Sequence, residues 1–153
     1  MITEFQFWLE SIVEDFPIPY EVKHICFVYE KHNNAFVLSM GGCELKPNIN
    51  NIFDYYPLEA QFFFDKTINN IKTQNEDYYA KIVKTVIDES FSSDYLKIQF
   101  DDKSIYFGEY GNKLDFLFTI KNNWLYWFDF PLKFVKIKFG EYNGNFKRIQ
   151  SIG

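Results

Sequence analysis

A chain of 153 residues, 47% hydrophobic and 24% charged, has the size and balance of one soluble domain, read here as a single domain over 1–153. Its aromatic share of 22%, with 19 Phe and 11 Tyr, excludes disorder, and no run approaches the ~20 apolar residues of a membrane-spanning helix. The net charge is −5 and Arg148 is the only arginine, which argues against nucleic acid as a partner, because its binders use several arginines on phosphates and base edges.

The charge is unevenly placed. Residues 131–153 carry five basic side chains against Glu141 alone, a local +4 that leaves −9 on the rest. Lys136 and Lys138 alternate there with Val135, Ile137 and Phe139, as on the wet face of a strand. The N-terminal MITEFQFWLE has no basic stretch of the kind that opens a secretory signal, so a cytoplasmic address is expected. The heavy use of Lys, Asn, Ile, Phe and Tyr points to an AT-rich bacterial genome.

In chain order, Phe5, Trp8, Leu9, Ile12, Val13 and Phe16 recur at helical spacing and predict one amphipathic helix ended by Pro17. Thr3 and Gln6 have capping-box spacing. The stripe is expected to be core throughout, so that Trp8→Ala costs about 3–5 kcal/mol. From 21 to 44 the period becomes two. Ile25, Phe27 and Tyr29, then Phe36, Leu38 and Met40, flank a turn at Lys31–Asn34 and predict a β-hairpin, with Gly41-Gly42 ending or bulging the second strand. Residues 45–57 read as a loop.

Over 58–72 a helix burying Leu58, Phe62 and Phe63 is favoured over a short strand at 62–64. A firmer helix carries Tyr79, Ile82, Val83, Val86 and Ile87, with capping-box spacing from Thr73 to Glu76. Beyond Ser93 everything reads as strands: Leu96–Phe100, SIYFGEY, KLDFLFTI with Leu114, Phe116, Phe118 and Ile120 on one face, WLYWFDF, and FVKIKF. Asn143-Gly144 signals a further hairpin. Links this short imply antiparallel neighbours. The expected fold is α+β: a single meandering antiparallel sheet of about seven or eight strands, with two or three helices packed mainly on one face.

No motif announces catalysis. His24, Cys26 and Cys43 are potential zinc ligands without the paired spacing of zinc sites, and inert core thiols are the expected state. Cys26 with His24 makes a poor nucleophile–base pair, since same-face i, i+2 side chains on a strand stand roughly 7 Å apart. Gly41-Gly42 lacks the Lys-Ser/Thr of a phosphate loop, and no G-x-S-x-G elbow occurs. Asp129 is an acid in an apolar strand, read as an edge charge that blocks strand addition. No catalytic, metal or cofactor site is expected.

Residues 124–130 stand out because both strand faces are apolar. Trp127, opposite in parity to Trp124, is the expected anchor of a protein-binding surface rimmed by Lys133 and Lys136. The functional expectation is a non-enzymatic protein-binding domain acting through a sheet surface, of bacterial inhibitor or immunity type. The alternative is a carrier holding a small apolar ligand in an aromatic cavity between sheet and helices.

Overall fold

The computed structural model describes residues 1–50, 53–121, 124–129 and 133–138. The N-terminal stripe forms α1 (Ile2–Asp15), which buries Phe5, Leu9, Ile12 and Val13 and is capped at its end by Phe16, just before Pro17. Met1 occupies the N-cap, so the Thr3–Gln6 capping box does not form. Trp8 and Phe16 are only half-buried at the margin of the core, and the Trp8 indole N–H donates to the Glu59 carbonyl at 3.2 Å.

The hairpin lies where period two places it, as β1 (His24–His32) and β2 (Ala35–Cys43) in antiparallel register from His24↔Cys43 to His32↔Ala35. Asn33 makes the turn in the left-handed region, at φ 51°, a conformation that asparagine tolerates. Gly41 and Gly42 stay in register rather than ending the strand.

Residues 58–72 are not one helix. They contribute β3 (Gln61–Phe62), a two-residue strand on β2, and a single turn, α2 (Lys66–Asn69), capped by the Asp65 carboxylate. Leu58 and Phe63 are 72% and 58% exposed, while Phe64 is buried in their stead. Helix α3 (Glu76–Ser90) follows, with Asn75 as its cap accepting from the Tyr78 N–H at 2.7 Å, rather than Thr73. Leu96–Phe100, expected as a strand, instead falls on helix α4 (Asp94–Gln99) and its C-cap, Phe100. Ser93 caps it, Asp94 sits favourably in its first turn, and Leu96 and Phe100 meet the core at i, i+4 spacing. Alternation over five residues was too short to outweigh that cap.

Two further strands, β4 (Ser104–Glu109) and β5 (Asp115–Thr119), complete a five-stranded sheet of order β3-β2-β1-β4-β5. Strand β4 returns beside β1 and runs parallel to it, from His24↔Ser104 to Tyr29↔Glu109. The sheet is therefore mixed, not wholly antiparallel, and the described residues form four helices where two or three were expected. The cause is the crossover through α2, α3 and α4, long enough to bring the chain back in the same direction. The α+β class holds, with α1, α3 and α4 contributing to one core beneath a single face of the sheet.

This sheet and its helices form one compact unit, Met1–Ile120. The unit that follows contains β6 (Trp124–Asp129) and β7 (Lys133–Lys138), an antiparallel pair in a sheet of its own, in register from Trp124↔Lys138 to Asp129↔Lys133. The Asn143-Gly144 turn lies outside the described residues.

Candidate binding face of the sheet

Strand parity divides the five-stranded sheet into two different surfaces. Ile25, Phe27 and Tyr29 of β1, with Phe36, Leu38 and Met40 of β2 and Ile105 and Phe107 of β4, point to the helices and are buried there. The alternate residues Cys26, Val28, Cys43 and Tyr106 form a second, smaller cluster with Leu114 and Phe53. Among the described residues, none in a helix belongs to that cluster. This second surface is the open face.

Two glycines level it. A Cβ on Gly41 would stand 2.6 Å from the Phe53 ring, so the ring lies flat on bare backbone. A Cβ on Gly108 would stand 3.0 Å from Leu114. The segment bearing Phe53 is tied to β2 by backbone bonds from Gly42 to the Tyr55 carbonyl (2.7 Å) and from Asp54 to the Gly42 carbonyl (2.9 Å). The Glu44 N–H adds a bond to the Asp54 carboxylate at 2.8 Å. On the far side, a bulge between the Ile105 and Tyr106 pairings leaves Leu117 as an extra residue on β5. It turns Phe118 to the helices and Phe116 to the open face, which breaks the single apolar face expected from the 114–120 alternation.

The result is a surface rich in exposed rings. His24, Tyr106 and Phe116 run across it edge to face, with centroids 5.6 Å apart at each step. Phe116, Tyr56 and Tyr110 are 56%, 53% and 47% exposed. Phe53 and Tyr56 stack 6.1 Å apart at 11°, on one side of a cleft of about 430 Å³. Val28, Glu30, Ser39, Asn50 and Tyr110 complete its lining. The Glu30 carboxylate lies 3.0 Å from His32 Nε2.

No family model, curated protein or solved structure matches this chain. Its functional reading therefore rests on its own geometry.

Among the sequence-predicted positions, Trp127 lies on β6 opposite Val135, while Lys133 and Lys136 on β7 stand opposite Asp129 and Tyr126 in the backbone register. The side chains of Trp127, Lys133, Lys136 and Asp129 lie outside the described residues. Cys26 and Cys43 are buried thiols in contact with one another, not a disulfide. Burial first, and then the neighbouring Cys43, raise the Cys26 pKa far above its ordinary value, which suppresses the thiolate a nucleophile would need. Burial and the nearby Lys46 ammonium lower the His24 pKa, and its buried Nδ1 has no hydrogen-bond partner. Among the described residues no three His, Cys, Asp or Glu side chains are arranged to hold a metal ion.

The polar groups on the helix side serve the fold. Tyr29 donates its hydroxyl proton to Glu76 at the start of α3, and Lys31 bridges Glu76 and Glu109. Those two partners lower the Glu76 pKa. Buried Lys103 donates from Nζ to the carbonyls of Val22 and Pro19, closing the loop that enters β1. Sequence reasoning passed over Phe53, Tyr56, Tyr110 and Glu30. The available signal was the small residues Ser39 and Gly41 at one parity of β2, a floor waiting for something to lie on it.

Proposed function

We propose that this protein is a non-enzymatic protein-binding domain that engages its partner through the open sheet face, in the manner of a bacterial inhibitor or immunity-type protein of the cytoplasm. The observation that carries this reading is the exposure of Phe116, Tyr56 and Tyr110 on one face, next to a buried floor of Val28 and Ser39. Tyrosine and other large aromatics at a rigid surface are the residues from which binding hot spots are made. Charge supplies the character of the partner. Residues 1–120 carry a net −9, because Lys121 and Asp129 cancel between them and the +4 of the tail. A surface of that sign steers and selects a basic protein.

The carrier reading has less support. Between α1 and the sheet, Phe5 lies 5.3–5.9 Å from the rings of Phe27, Phe62 and Phe64, and Phe62 lies 4.9 Å from Phe64, filling the space in which an apolar ligand would sit. Trp127 on β6, with Lys133 and Lys136 on β7, is kept as a second contact element of the proposal.

The test is affinity capture from host extract, with retained proteins identified by mass spectrometry. Wild-type protein should retain a basic partner. Phe116→Asp should lose it while unfolding at the same urea concentration as wild type, and Trp127→Ala should weaken it. Equal retention by wild type and Phe116→Asp would remove the open face from the interface.

A further inference from the structure

We infer that the cleft between Tyr56 and Tyr110 receives a lysine side chain of the protein partner, its alkyl stem over Val28 and its ammonium between the aromatic rings and Glu30. This rests on the binding reading above and names the group that the open face selects. Three features of the cleft point the same way.

The first is its walls. Phe53, Tyr56 and Tyr110 line one concavity, and a cation is drawn to the negative face of an aromatic ring. The second is its polar lining. An ammonium has three donors and no acceptor, and the oxygen-bearing residues Glu30, Ser39 and Asn50 line the cleft. The third is sign: among the described residues no lysine or arginine lines the cleft, Glu30 supplies a carboxylate, and residues 1–120 carry a net −9. The cleft is open to solvent and has a volume of about 430 Å³, room for one long side chain. An apolar anchor would cover that polar lining without offering it a donor, which is costly in a buried contact.

The experiment follows the Val28 and Ser39 amide resonances of the full chain by ¹H–¹⁵N NMR during titrations with three probes. Nα-acetyl-lysine methylamide stands for the partner's side chain, Nα-acetyl-norleucine methylamide is its uncharged counterpart, and choline is a free organic cation. The lysine probe should shift both resonances saturably and the norleucine probe should not. Glu30→Gln and Tyr56→Ala should each weaken the lysine probe by about two- to fivefold, as expected for a cation held at a partly exposed aromatic site. The same spectra report whether each variant is folded. Equal response to norleucine, an unchanged affinity in Glu30→Gln, or no response to any probe would overturn the inference. Choline binding without lysine binding would also overturn it, in favour of a small-molecule site.

Phe116 is not among the cleft residues, so Phe116→Asp separates the two proposals. A partner lost in Phe116→Asp with no lysine response leaves the binding function standing and removes the cleft from it. A lysine response that Glu30→Gln weakens, without any captured partner, supports the cleft and counts against the function.

Discussion

The two faces of the five-stranded sheet are made by alternate residues of the same strands, yet they are built on opposite principles. On the helix side, Tyr79 lies 4.2 Å from Phe36 and 5.4 Å from Tyr29, ring against ring, and Phe5 touches four other rings. On the open side, a glycine at 41 or 108 receives one large side chain from a neighbouring segment, Tyr106 is buried, and Phe116, Tyr56 and Tyr110 meet water. Aromatic content alone therefore says little about where a residue works. Parity within the strand, and what lies opposite, separate rings that hold the fold from rings available to another molecule.

The comparison is broken most severely from the helix side. Phe5→Ala should cost about 3–5 kcal/mol in urea unfolding, the usual loss for a buried aromatic. Trp8→Ala should cost clearly less, because Trp8 is only half-buried. Equal losses at the two positions would mean that the margin of α1 is as much core as its centre. Next comes Gly41→Val, whose added carbons would collide with the Phe53 ring and either strain β2 or expel the ring. A loss of about 1–3 kcal/mol is expected, together with displaced Val28 and Ser39 resonances. A neutral result would show that Phe53 does not rest on the strand.

Smaller still, Tyr29→Phe should cost about 1 kcal/mol by removing the hydroxyl that anchors Glu76 at the start of α3. The loss should shrink when Glu76→Gln is combined with it, and strict additivity of the two would deny their coupling.

The smallest effect belongs to the open face and is read through pH. Burial and Lys46 hold the His24 pKa below its ordinary 6.5, so the folded state binds fewer protons than the unfolded state near pH 6. Its contribution is unpenalised above pH 6.5 and falls away as pH drops below that value. Between pH 7.5 and 5.5 the wild-type melting temperature should therefore fall more than that of His24→Gln. Parallel curves would show that His24 titrates as it does in the unfolded chain.

The legible parts of the fold were those where one period persists. The α1 stripe, the 21–44 hairpin and α3 each repeat over enough residues for periodicity to outweigh local detail. Leu96–Phe100 alternates too, but over a single helical turn with Ser93 as a cap, and there the cap prevails. The parallel β1–β4 contact had no local signal, since neither strand records which edge it will find. The open-face cleft was illegible for a related reason. Phe53, Tyr56 and Tyr110 come from the segments following β2 and β4, and only the return of β4 to β1 brings them to one side of the sheet.

That return has a cost in time. Strand β1 is central, and the partner for its second edge is β4, which is separated from the end of β2 by 60 residues. At ~5–20 residues per second, a ribosome needs roughly 3–12 s to supply that stretch, far longer than a hairpin takes to close. Throughout that interval the nascent hairpin carries the apolar run Ile25–Tyr29 on an unpaired edge, open to pairing with another chain. Stalled synthesis before Ser104 should thus release an aggregating fragment, and holding that edge apart is a task for the cell's chaperones.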